Sequence, residues 1–136
     1  MATIRIPYAQ THLDLNITDN RLAGVLESKA HHYKPTASQA DLVRQALEAP
    51  IGSPRLRDLA RGKKKIVIVT SDHTRPVPTK VIAPIMLAEI REGNPEAEII
   101  FLVATGFHRA MTRAEMENKF GLELLESCTI VGMKQA

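Results

Sequence analysis

Apolar and polar positions alternate over residues 2–7, ATIRIP, and again over residues 11–17, THLDLNI. A period of two predicts a pair of half-buried strands. PYAQ between them can turn the chain back as a hairpin. TDNRLAGVLES then reads as loop and short irregular structure, and HHYKPTASQ as a polar connector containing a proline. A helix starts at Ser38, whose hydroxyl can cap the free amides, with Asp41 acidic in the first turn where the helix dipole favours it. Leu42, Val43, Ala46 and Leu47 supply its apolar stripe, and Pro50 and Gly52 stop it. PRLRDLARG predicts another short helix, ended by Gly62.

From Lys65 the rhythm changes. KIVIVTSD is a continuous β-branched run, followed by the helical pattern VIAPIMLAEIREG, with Gly93 as its stop and Asn94-Pro95 beyond. Pro84 fits that helix only near its first turn, where amides lack partners in any case. EIIFLVAT is a second apolar run. It leads through GFHRAM into a helix at Thr112, where Thr112 and Glu115 make a capping box and Met111 with Met116 can staple the entry. Gly121 ends that helix, and CTIVG is a third, shorter run. Strand, helix, strand, helix, strand predicts an α/β fold: a Rossmann-like, mostly parallel sheet with flanking helices, preceded by the amino-terminal β-hairpin. Strands this apolar predict a sheet covered on both faces.

Ligands of such sheets bind beyond the carboxyl ends of the strands. Both polar clusters of the chain, TSDHTRP and ATGFHR, stand there. Arg75 is a planar, permanently charged fork suited to a carboxylate or phosphate. Asp72 either holds Arg75 in a locked, proline-rich turn or binds a ribose or substrate hydroxyl, with Thr74 beside it. Pro76 and Pro78 stiffen the segment after Arg75. Gly106 allows a sharp turn or a close approach to a ligand. His108 is placed either for proton transfer near neutral pH or as a plain hydrogen-bonding residue. Arg109 beside it would disfavour the protonated imidazole. His73 has the same two readings as His108 and can point away from its neighbours. His31 and His32 are adjacent rather than four apart, so they read as surface residues, and His12 as a solvent-facing strand residue.

Composition narrows the field. The 136 residues amount to about one domain. Aromatics are only 4% with no Trp, and the net charge is +3, which argues against stacking platforms and basic footprints for nucleic acid. Lys63, Lys64 and Lys65 read as a solvated strand entrance. The single cysteine, Cys128, excludes an internal disulfide framework and a multi-cysteine zinc site. No apolar run is long enough to span a membrane, nothing at Met1–Arg5 resembles a signal peptide, and a reducing cytoplasm is the expected compartment. Walker, GxGxxG and GxSxG patterns are absent.

SDHTRPVP paired with LVATGFHR resembles the amino-terminal part of the nickel-dependent lactate racemase family. IPYA, AGVLESKA, APIGSPRLRDLARGKKKIVIVTSDHTRPVP and MTRAEMENKFG fall where that family has similar text, so the likeness covers nearly the whole chain. It implies a 2-hydroxy acid substrate and a nickel pincer nucleotide tethered to a lysine. In that chemistry the substrate's C2 hydride passes to the cofactor while a histidine takes the hydroxyl proton, and a second histidine serves the opposite face. His108 matches one acid–base histidine, Arg75 a carboxylate or anion contact, and Asp72 a neighbouring site residue; Thr74, Gly106 and Arg109 join them as binding candidates. Family members are much longer than this chain. The resemblance places the tether lysine, the nickel ligand and the second histidine outside it, so no metal ligand is assigned here, and Lys134 in GMKQA does not match the tether context. The departing end, CTIVGMKQA, implies residues 1–136 are a partial domain, inactive alone, whose partners are a small 2-hydroxy acid and the missing carboxyl-terminal part. A sheet cut there would expose an edge or apolar face open to self-association. Two other readings stand beside the racemase: a non-enzymatic anion- or nucleotide-binding module, and a structural domain without a ligand.

Overall fold

The computed structural model describes residues 1–132, and Lys134 lies outside them. Two compact units divide the chain, Met1–Pro35 and a larger one from Thr36 onward.

In the first unit, β1 (Ala2–Tyr8) and β2 (Thr11–Ile17) pair antiparallel, in register from Ala2 opposite Ile17 to Tyr8 opposite Thr11. The two-residue connection sets Ala9 at φ 51°, the left-handed backbone such tight hairpins demand. The Thr3 hydroxyl donates to Asn16 Oδ1 across the strands at 2.7 Å. The alternation is real, and the expected half-burial is kept at Ala2, Ile4 and Ile17 but lost further along the ribbon. Ile6, Leu13 and Leu15 are 43%, 55% and 44% exposed, because a two-stranded ribbon has no second layer of its own to cover its apolar side. Two 3₁₀ turns, Asp19–Arg21 and Lys29–His32, complete the unit.

The second unit opens with α1 (Gln39–Glu48) and α2 (Leu56–Ala60). Ser38 caps α1 as expected, accepting from the Asp41 amide. Then come β3 (Lys65–Ser71), α3 (Thr79–Gly93), β4 (Glu98–Ala104), α4 (Arg113–Phe120), α5 (Leu122–Ser127) and β5 (Thr129–Gly132). The three strands form a parallel sheet in the order β3-β4-β5, with Ile66 opposite Ile99 and Phe101 opposite Ile130. Successive crossovers that advance the same way, with one handedness, put their helices on the same face. Ile99, Phe101 and Val103 of β4 point into that helix-covered core with Ile90 and Phe120. Phe101 and Phe120 meet edge to face at 6.1 Å.

Helical cover on both sheet faces does not occur among the described residues. Side chains alternate out of the sheet, so Val67, Ile100, Val69, Leu102 and Val131 share the opposite face. Val67 is 50% exposed, Val69 66% and Val131 40%. The α3 helix also starts two residues earlier than its apolar pattern suggests. Pro78 is its N-cap, which leaves Pro84 inside the helix rather than in its first turn. The missing Pro84 amide withholds a hydrogen bond from the Lys80 carbonyl one turn back. Gly93 is required by close approach: a Cβ there would overlap the Arg57 carbonyl. The same contact is clamped by Arg57, whose fork donates to both Glu89 carboxylate oxygens at 2.7 Å.

Candidate functional site

Ser71 and Ala104 are paired at the carboxyl ends of β3 and β4. The two loops therefore leave the sheet side by side, which brings Asp72–Arg75 against Thr105–His108. Each begins with a tight turn. The Arg75 amide donates to the Asp72 carbonyl and the His108 amide to the Thr105 carbonyl, at 3.4 and 2.9 Å. Gly106 stands at φ 55°, a backbone that favours glycine, and makes the second turn possible.

Asp72 is only 1% exposed. Its Oδ1 accepts from the Thr74 amide at 3.0 Å and the Thr74 hydroxyl at 2.6 Å. Its Oδ2 lies 2.6 Å from His108 Nδ1. The Thr74 hydroxyl, then His108 and the Thr74 amide, hold the Asp72 carboxyl well below the usual carboxylate range, against the opposing pressure of burial. An ionised carboxylate can only accept, so the nitrogen facing it carries the proton. Neutral His108 is thereby fixed with Nδ1–H toward Asp72 and Nε2 as its acceptor. The His108 side chain is 46% exposed.

Asp72, Arg75, Gly106 and His108 line one open cleft of about 570 Å³, a volume suited to a small-molecule site. Of the two roles open to Asp72, the ion pair with Arg75 does not form; the carboxylate pairs with His108 instead. Arg75 is exposed, forms no ion pair among the described residues, and also borders a neighbouring cleft of about 290 Å³. Thr74 spends its hydroxyl on Asp72. Arg109 departs from its expected place. Its guanidinium forks onto Glu115 at 2.8 and 2.6 Å, so its charge is matched there and is not left to act on the imidazole. Arg109, followed by the Thr112 amide, holds the Glu115 carboxyl far below its ordinary value. The capping box of Thr112 and Glu115 forms as expected. His73 turns away from Asp72, with Nε2 3.5 Å from Glu115. His12, His31 and His32 are exposed and belong to the amino-terminal unit.

One residue beneath the site escapes sequence reasoning. Lys119 on α4 is buried at 9% exposure, and its ammonium reaches the Ser71 hydroxyl and the Arg75 carbonyl. A lysine near a helix carboxyl terminus is ordinary enough to carry no signal. Among the described residues no group of three or more His, Cys, Asp or Glu side chains is arranged to hold a metal ion. No helix among them is long and apolar enough to cross a membrane.

Comparison with known proteins agrees with the fold. The lactate racemase of Thermoanaerobacterium thermosaccharolyticum is 53% identical over 127 residues, which is 93% of this chain and 30% of that protein. The lactate racemase of Lactiplantibacillus plantarum is 45% identical over 131 residues, 96% of this chain and 31% of that protein. The solved structure of the lactate racemase apoprotein from Thermoanaerobacterium thermosaccharolyticum superposes with a TM-score of 0.85 at 48% identity, over 98% of this chain and 30% of that one. The chain thus spans about 30% of the length of the relatives it matches. The lactate racemase N-terminal domain family matches residues 8–136, and the chain belongs to it.

Proposed function

We propose that this chain supplies one proton-transfer histidine and one carboxylate contact to a 2-hydroxy acid racemase whose remaining catalytic groups lie in the part of its relatives that this chain does not span. The observation that carries the reading is the Asp72–His108 pair, 2.6 Å apart with the carboxylate buried. A buried, ionised Asp that fixes the tautomer of a half-exposed imidazole is the arrangement a general base requires. The base nitrogen is Nε2, and it takes the C2 hydroxyl proton. Asp72 stabilises the imidazolium that results. Arg75, exposed in the same cleft, engages the substrate carboxylate through parallel hydrogen bonds.

The nickel pincer nucleotide implied by the family would, when bound, supply the hydride chemistry. The roles proposed here for this chain's own residues are the proton at His108 and the carboxylate at Arg75. The test joins residues 1–132 to a relative's carboxyl-terminal part, loads the cofactor, and follows racemisation from both enantiomers. His108→Ala should slow both directions on the order of 10²–10⁴-fold, the usual worth of general acid–base assistance, with nickel content unchanged. Unimpaired turnover would remove His108 from the mechanism. Arg75-dependent carboxylate binding without racemisation would favour a non-enzymatic anion-binding module instead.

A further inference from the structure

Lys119 joins the site from below. Its side chain is nine-tenths buried, in a position where an ammonium is expensive unless it is paired. Nζ bonds the Ser71 hydroxyl at 3.3 Å and the Arg75 carbonyl at 3.4 Å. Those two acceptors are the two ends of the turn that carries Asp72 and Arg75. Burial pushes the Lys119 ammonium down from its ordinary value, and attraction to Asp72 opposes that push. The nearby charges are apportioned elsewhere. Glu115 pairs with Arg109 and faces His73, and Asp72 pairs with His108. Lys119 is thus the cation that lies beneath the turn itself.

We propose that Lys119 is a positioning residue: it ties both ends of the Ser71–Arg75 turn to α4, and so holds the Asp72 carboxylate in register with His108. The role rests on the proton-transfer reading of His108 but is testable apart from it. A lysine that merely filled space would be replaceable by methionine, whose volume is similar. A lysine that positions Asp72 would not, and the effect would appear at an imidazole beyond the lysine's own bonds to Ser71 and Arg75.

The experiment records imidazole ¹⁵N spectra of the 136-residue chain at alkaline pH, where the His108 tautomer ratio is read directly. Wild type should favour Nδ1–H. Lys119→Met should lower the ratio of Nδ1–H to Nε2–H by roughly two- to tenfold, the equivalent of one net hydrogen bond, and Lys119→Arg should restore most of it. Should the methionine variant fail to fold, Ser71→Ala, which removes one of the two acceptors, should lower the same ratio in the same direction. An unchanged ratio in a folded Lys119→Met chain, or in Ser71→Ala, overturns the proposal. Because the readout is not turnover, a completed protein that failed to racemise would sink the reading of His108 and leave this result standing.

Discussion

At the scale of single residues, the site is a chain of orientation: Thr74 holds Asp72, Asp72 holds His108, and Gly106 permits the turn that delivers the imidazole. Asp72→Asn keeps the shape but removes the charge that selects the tautomer. In a protein completed with a relative's carboxyl-terminal part, it should cost kcat on the order of 10²–10⁴-fold with little change in KM, measured from either enantiomer. The same carboxylate makes a prediction about acid. Its folded pKa is depressed, so its stabilising contribution is complete above the unfolded value, about 3.9. It is lost as pH falls through the lower folded value. Urea midpoints of wild type and Asp72→Asn should therefore differ most above pH ~4 and converge below it, as the carboxylate is protonated and becomes neutral like the carboxamide. A gap that stays constant to the acid limit would mean that Asp72 contributes no charge-dependent stability.

At the scale of elements, the apolar patterns marked every strand, and the caps at Ser38 and Thr112 were legible because they use local chemistry. Gly93 was legible as a stop but not as a contact. It ends α3, yet its second role depends on α2 crossing against it, which no local pattern encodes. Gly93→Ala should cost about 1–3 kcal/mol, the usual range for overpacking, read as a lower urea midpoint with an unchanged slope. An unchanged midpoint would show that the α2–α3 approach relaxes freely. In the site, Asp72, Arg75 and His108 were legible because polar residues just past an apolar strand stand at a sheet's ligand-binding end. Which of them pair was not. Asp72 and Arg75 are close in sequence and line one cleft but form no ion pair, while His108 arrives through the β3–β4 register and pairs with Asp72. Arg109 adjoins His108 in the chain, yet the carboxylate of the α4 capping box captures its fork. Lys119 was hidden for the same reason: its partners are set by where α4 packs.

At the scale of the whole molecule, helices among the described residues cover the sheet on one face. Val67, Val69 and Val131 lie exposed on the face opposite the helices, and β3 and β5 are its edges among the described residues. Continuous apolar strands signal burial on both sides; the sequence holds that signal for both faces, and the helices of this segment answer it for one. A contiguous apolar face beside unpaired strand edges favours association. The chain alone should therefore self-associate reversibly, with a weight-average mass that rises with concentration in sedimentation velocity. Val69, the most exposed of the three at 66%, is the place to test it. Val69→Lys puts a strongly hydrated charge on that face, on an edge strand where lysine is a common guard against pairing. It should shift the chain toward monomer without altering helix or strand content, since the side chain contributes little to the helix-covered core. Supplying the carboxyl-terminal part of a relative should compete with self-association if both use this face, and Val69→Lys should weaken both together. A wild-type chain that stays monomeric at every concentration would mean that this face alone is too small to drive association. A loss of self-association without loss of the second interaction would place the relative's carboxyl-terminal part on another surface.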